Sequence, residues 1–185
     1  MARFVTLAAA QMGPIPRTEN RASVVRRQID MMRQARSMGA DVVAFPEAAL
    51  TAFFPHWFTE DEAEVDAWFE RQMPGPQTQP LFDEARRLGI GFHLGYCELD
   101  FSTGRKRRFN TSILVDAQGS IIGKYRKIHL PGHSDHRPQT PFQNLEKRYF
   151  EVGDLGFGAW QAYGGVAGMI ICNDRLGQFH NELSM

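Results

Sequence analysis

The sequence predicts an α+β domain: a mixed sheet with helices over one or both of its faces. Three observations carry that prediction. The chain opens with a strand–helix–strand order, which calls for a parallel pair joined by a crossover helix. Short apolar segments separated by turn residues follow, as in hairpins. The length of 185 residues, with 43 % hydrophobic and 23 % charged residues, suits a chain that buries one core.

The elements follow in order. Residues 4–11 form an apolar run that reads as a buried strand, broken by Gly13-Pro14-Ile15-Pro16. A helix capped near Thr18 then runs to residues 35–38. Val25, Ile29 and Met32 share one stripe of it, and Gly39 suits the position just past its end. Residues 41–45 (DVVAF) form a short strand. Residues 61–71 and 80–88 read as helices, the first stopped by Met73-Pro74-Gly75-Pro76 and the second by Gly89. Residues 91–99 and 108–115 are strands, with Ser102-Thr103-Gly104 as the turn between them, and residues 120–124 are the next strand. An irregular stretch holds a short helix around residues 144–149. Residues 157–163 and 166–171 close the strand series.

Composition excludes several functions. Lys plus Arg and Asp plus Glu each number 21, so the net charge is zero. That argues against a nucleic-acid partner held by bulk electrostatics. The basic run Arg105-Lys106-Arg107-Arg108 sits at the hairpin tip without interleaved aromatics and reads as a solvated turn. No apolar run approaches the ~20 residues of a membrane span. The first residues lead into a strand pattern rather than a signal peptide. With only Cys97 and Cys172, a disulfide framework is ruled out, and a cytoplasmic protein with free thiols is expected.

Three reactive groups fall beyond strand ends. Glu47 lies two residues past DVVAF, Lys127 three past the strand ending at Lys124, and Cys172 directly after VAGMII. Ligand sites in open α/β sheets form outside the carboxyl ends of strands. Singly, each has a plain reading: a turn acid or helix cap, a surface charge, a small buried thiol. Together they form a chemical set. A carboxylate can take the proton of a thiol that attacks a carbonyl, and an ammonium can hold the developing oxyanion. The N–H of Asn173 would be a second oxyanion donor.

Two other clusters compete for attention. His129, His133 and His136 lie near Asp135, as in a zinc tract, but Pro131 and Gly132 break any helix that would align the first two. No metal site is assigned. Phe53, Phe54, Trp57 and Phe58 follow Glu47 closely, and either a substrate wall or core packing accounts for them.

The blocks Phe45-Pro46-Glu47, Gly123 to Leu130 (GKYRKIHL) and Ile171-Cys172-Asn173-Asp174-Arg175 resemble the nitrilase, or carbon–nitrogen hydrolase, superfamily. The match is closest to its N-carbamoyl-D-amino acid amidohydrolase branch. Thr51-Ala52-Phe53-Phe54-Pro55, residues 107–115 and residues 141–150 are similar to that branch as well. The triad positions stand 80 and 45 residues apart. The resemblance implies an αββα four-layer sandwich and a catalytic triad of Glu47, Lys127 and Cys172. It implies a further active-site carboxylate, Glu146, beside Lys127. Arg175 would grip a substrate carboxylate, and His129 would stand in the shell of the site. The implied reaction hydrolyses N-carbamoyl-D-amino acids to D-amino acid, carbon dioxide and ammonia, without metal or organic cofactor. A related amidase or β-ureidopropionase is the alternative activity. The implied partner is a small N-carbamoyl amino acid, with homo-oligomers if the full domain is present.

The sequence departs from that pattern twice. Asn144 stands where the branch usually carries a histidine; it can hydrogen-bond but not titrate. After Arg175 the resemblance stops, so residues 1–175 read as the first part of one domain and residues 176–185 as a divergent tail. The abrupt change reads as a shifted reading frame or an alternative ending. The expectation is an incomplete sandwich with exposed sheet edges, weak stability, and poor activity or none, an inert fragment at the limit.

Overall fold

The structure, a computed structural model, describes residues 4–176. The tail beyond residue 176 and the first three residues lie outside the described residues. Five strands form one mixed sheet in sequence order: β1 (Leu7–Ala9), β2 (Val42–Ala44), β3 (Gly91–Asp100), β4 (Arg107–Val115) and β5 (Ile121–Arg126). β1, β2 and β3 run parallel; β3, β4 and β5 run antiparallel.

Helix α1 (Arg21–Ser37) crosses between β1 and β2. Its cap is Asn20, whose side chain accepts the Ser23 N–H at 2.9 Å. The helix therefore begins two residues later than the expected start near Thr18, because a turn closed by Glu19 N–H on Pro16 C=O occupies that stretch. Gly39 follows the helix at φ +85°, where a side chain would be strained. Helix α3 (Gln79–Leu88) lies beside α1 and ends on left-handed Gly89; the short α2 (Glu62–Asp66) precedes it. Val25 and Met32 of α1 and Leu81, Phe82 and Ala85 of α3 pack on Phe92, Leu94, Ile113 and Val115. These sheet residues alternate along their strands, so one face is committed to the helices.

The alternate residues face the other side. There a separate hairpin, β6 (Ala159–Ala162) with β7 (Gly165–Gly168), packs on Leu114 and Tyr125. Two glycines make room for its aromatics. A Cβ on Gly123 would lie 2.8 Å from the Trp160 ring, and one on Gly91 would lie 2.2 Å from that of Tyr163. The described residues thus form three layers: helices, sheet and hairpin. Of the four layers implied by the resemblance, the second outer helix layer is not formed among them.

Several expectations need correction. The first strand is short and its outer face is open: Leu7 is 64 % exposed. It lines an apolar cleft of about 510 Å³ with Val5, Ala44, Leu114 and Met169. The helix expected at residues 61–71 stops after α2. The chain must straighten so that Glu70 can bridge to β3, with Glu70 N–H on Cys97 C=O at 2.7 Å and Leu99 N–H on Glu70 C=O at 2.8 Å. Sheet pairing overrides helix propensity there. The strand expected at 120–124 continues to Arg126, and the one expected at 166–171 ends at Gly168. The short helix α4 spans Glu146–Tyr149.

The basic run is not a free turn. Arg105 and Arg107 pair with Glu151, Arg107 also with Asp154, and Lys106 and Arg108 with Glu62 and Asp66. Arg107 and Arg108 are largely buried. These charges clamp the β3–β4 hairpin to α2 and to the segment after α4, which leaves little for a polyanion. Among the described residues no helix is long and apolar enough to cross a membrane.

Candidate active site

The site gathers on the hairpin side of the sheet, near the ends of β2 and β5. Past β2 the chain crosses β3, fixed by Phe45 N–H on His93 C=O (2.9 Å) and Ala49 N–H on Gly95 C=O (2.8 Å). Glu47 rides on this crossing. Gly95 allows it: a Cβ there would meet Pro46 O at 2.6 Å and Glu47 Cα at 2.8 Å, both backbone atoms. Gly95→Ala is therefore expected to push the Glu47 loop off the sheet. It should cost roughly 1–3 kcal/mol by overpacking, read as a fall in melting temperature, and should lower turnover further than that loss of folded protein explains.

Lys127 follows β5 directly rather than after a gap. Its N–H donates to Asn110 C=O at 2.8 Å, and its C=O accepts from Gly153 N–H at 2.9 Å. Its side chain is fully buried, and Nζ donates to Glu47 Oε1 and to Glu146 Oε2, each at 2.7 Å. Burial alone would lower the Lys127 pKa, but Glu47 and Glu146 outweigh it and hold the ammonium above its ordinary range. Glu146 begins α4 and is also buried; burial pushes its carboxyl up against the lowering pull of Lys127.

Asn110 completes the group. Its Nδ2 donates to Glu47 Oε1 at 2.6 Å, on the oxygen that also takes Lys127. Both donors thus converge on Oε1, which leaves Oε2 as the oxygen open to a proton. The Asn110 Oδ1 atom is buried without a partner among the described residues.

Cys172 lies four residues past β7, not directly after a strand. It is solvent-exposed and adopts φ +48°, a conformation that non-glycine residues rarely take. Such strain gathers at functional positions. Desolvation, Glu47 and Glu146 raise the thiol above its ordinary range, while Lys127 pulls the other way. At neutral pH the thiol is protonated and needs a base. Cys97, by contrast, is buried in β3, and burial pushes its thiol far up. It is a core residue, inert to water-borne reagents.

The remaining expected residues divide. Asn173 donates from Nδ2 to His129 C=O at 3.1 Å, and Arg175 is exposed, with no ion pair among the described residues. His129 donates from Nδ1 to Asp174 at 3.0 Å, and its ring stacks on Phe157. Asn144 touches Glu146 through two long contacts: its Nδ2 donates to Oε1 at 3.5 Å, and its Oδ1 accepts the Glu146 N–H at 3.3 Å. The three histidines of the suspected zinc tract part company. His133 donates to Asp135 C=O at 2.8 Å, and His136 stacks on Phe58 at 3.8 Å. Among the described residues no three His, Cys, Asp or Glu side chains group to hold a metal ion.

The aromatic cluster also divides. Phe54 is core, packed on Phe69, Tyr149 and Phe150. Phe53, His56 and Trp57 line a recess of about 360 Å³ that includes Glu47. A larger recess of about 680 Å³, at Asp66, Glu70 and Gly75, includes none of Glu47, Lys127 or Cys172 and is not the site.

Sequence reasoning gave no role to Asn110 or Asp174, although both lie in the blocks that carry the resemblance. Asn110 could have been found as an amide between Phe109 and the apolar end of β4, in the part of that strand that is buried. A buried amide needs a partner.

A carboxylate, a buried ammonium, a second carboxylate and a strained thiol are the groups that thiol-based hydrolysis of a carbonyl compound requires. Comparison with known proteins agrees at the level of family. The chain belongs to the carbon–nitrogen hydrolase family, whose model matches residues 6–178. It is similar to an N-carbamoylputrescine amidase of Solanum lycopersicum, 26 % identical over 176 residues, covering 94 % of this chain and 52 % of that one. It is 32 % identical over 144 residues to a nitrilase of Pyrococcus abyssi, covering 78 % and 47 % respectively. The crystal structure of a carbon–nitrogen hydrolase from Helicobacter pylori G27 superposes with TM-score 0.71 at 20 % identity, covering 92 % of this chain and 52 % of that one. A mutant amidase from Nesterenkonia sp. AN1, with acrylamide added at its active-site cysteine, gives TM-score 0.70 at 18 % identity, covering 92 % and 58 %. The chain spans about half the length of the curated relatives it matches.

Proposed function

We propose that this chain carries the catalytic groups of an amidohydrolase that converts N-carbamoyl-D-amino acids to D-amino acids, carbon dioxide and ammonia. The observation that carries the reading is the bridge of buried Lys127 between Glu47 and Glu146, with the strained Cys172 acted on by all three. Glu47 Oε2 takes the thiol proton, and the sulfur attacks the ureido carbonyl carbon. Lys127 and the Asn173 N–H hold the resulting oxyanion. The C–NH2 bond breaks, and the proton held by Glu47 leaves with ammonia. A thioester of the N-carboxy amino acid remains on Cys172. Water, deprotonated by Glu47, attacks the acyl carbon; the C–S bond breaks, Glu47 returns the proton to the sulfur, and the freed N-carboxy amino acid loses carbon dioxide.

Arg175 supports an acidic substrate. It lies three residues past Cys172, exposed, and its planar fork suits a carboxylate. A cationic N-carbamoyl amine would be repelled there. The recess at Phe53, His56 and Trp57 suits an apolar side chain. Assaying ammonia release on one panel tests the reading: N-carbamoyl-D- and L-amino acids, N-carbamoylputrescine, a simple amide and a nitrile. Preference for the N-carbamoyl-D-amino acids is expected, with Arg175→Ala raising KM about tenfold for them (~1.4 kcal/mol). Equal or better turnover of the cationic, simple amide or nitrile substrates overturns it.

A further inference from the structure

We propose that Asp174 is the positioning residue that holds Cys172 in register with Lys127. The proposal rests on the reading of Cys172 as nucleophile. Asp174 lies two residues past Cys172, and its carboxylate is fully buried. Four donors meet it. Oδ1 accepts the His129 backbone N–H at 2.8 Å and His129 Nδ1–H at 3.0 Å. Oδ2 accepts the Tyr125 O–H at 2.8 Å and the Ile171 backbone N–H at 2.9 Å. Both oxygens are thereby used in full.

The placement of these donors matters more than their number. Tyr125 and His129 flank Lys127 by two residues on either side, while Ile171 precedes Cys172. One carboxylate therefore ties the segment that carries the ammonium to the turn that carries the thiol. The same bond to Ile171 N–H closes the turn in which Cys172 is held at φ +48°. Tyr125 O also accepts the Ile128 N–H at 3.2 Å, so the tie extends along the strand end.

The chemistry requires an aspartate, not merely a polar residue of that shape. Each oxygen accepts a backbone N–H. In an asparagine, whichever way the amide turns, its NH2 must face one of those N–H groups. The isosteric change thus breaks the tie on one side, at the cost of a buried unsatisfied donor.

The test reads the thiol itself and needs no substrate. The rate of Cys172 alkylation by iodoacetamide is measured against pH and assigned by peptide mapping; buried Cys97 stays silent. The charged groups acting on the thiol are Glu47, Glu146 and Lys127. In the parent chain the midpoint should lie above that of an ordinary thiol, near 8.5. In Asp174→Asn the turn is released from those groups, and the midpoint should fall toward the ordinary value. Tyr125→Phe removes one donor and should move it the same way by less. A folded Asp174→Asn with the parent midpoint overturns the proposal. If Asp174→Asn does not fold, an unchanged midpoint in Tyr125→Phe overturns it. A shifted midpoint in a chain that turns over none of the substrate panel supports the positioning role and counts against the proposed reaction instead.

Discussion

Cys172→Ala is expected to abolish hydrolysis of N-carbamoyl amino acids while leaving the fold in place. The side chain is exposed and its neighbours in the turn are held by Asp174 rather than by sulfur. Losing it leaves no cavity in the core, so the melting temperature should hardly move. The chemistry has no substitute for the thiol. Cys97, the other cysteine, is buried within β3 and walled off from substrate. Removing a nucleophile from a cooperating set costs about as much as removing the whole set. A drop of roughly 10⁴-fold or more in ammonia release is the expected result. Retained turnover would show that another group attacks the carbonyl, or that Glu47 activates water directly.

Lys127→Met should be the most destabilising single change in the site, and it should remove activity as well. Lys127 is fully buried between two carboxylates, neither of which has another cation in contact among the described residues. Taking away one partner of a buried ion pair leaves uncompensated charge and costs about 3–5 kcal/mol. The sign of the pH dependence follows. Burial already holds Glu146 above the ordinary carboxylate range with Lys127 beside it. Without Lys127 its folded pKa rises further above the unfolded value. Stability tied to such a group is present below the unfolded pKa and is lost as pH rises through the folded one. The variant should thus recover stability as pH falls toward 5, and Lys127→Met/Glu146→Gln should regain part of the loss at neutral pH. Denaturant melts at several pH values check both. A variant as stable as the parent at neutral pH would mean that the bridge carries no net stabilisation.

Much of this fold was legible because its signals are local. Gly39 and Gly89 end helices where a left-handed residue is needed, and the alternation of Phe92, Leu94, Ile113 and Val115 marks one sheet face. What escaped is set by distant partners. α2 is cut short because Glu70 must pair with β3. The basic run became a clamp because Glu62, Asp66, Glu151 and Asp154 come to it from other segments. No local pattern announces either event.

The candidate site shows the same division. Spacing past strand ends drew attention to Glu47, Lys127 and Cys172, and the resemblance added Glu146. The structure puts Lys127 in direct contact with both Glu47 and Glu146. All three strand ends lie elsewhere than expected: β2 stops at Ala44, β5 runs to Arg126 and β7 stops at Gly168. Asn110 and Asp174 stayed silent because a hydrogen-bonded side chain is recognised by its partners, which lie 63 residues away for Asn110 and up to 49 for Asp174.

The proposed reaction passes through a thioester between Cys172 and the substrate carbonyl carbon. Rapid acid quench of the chain with an isotope-labelled N-carbamoyl-D-amino acid, followed by peptide mass mapping, would trap that intermediate. A hydroxylamine-labile adduct is expected on the peptide bearing Cys172 and none on that bearing Cys97. Turnover with Cys172 unlabelled, or label confined to another residue, would contradict it.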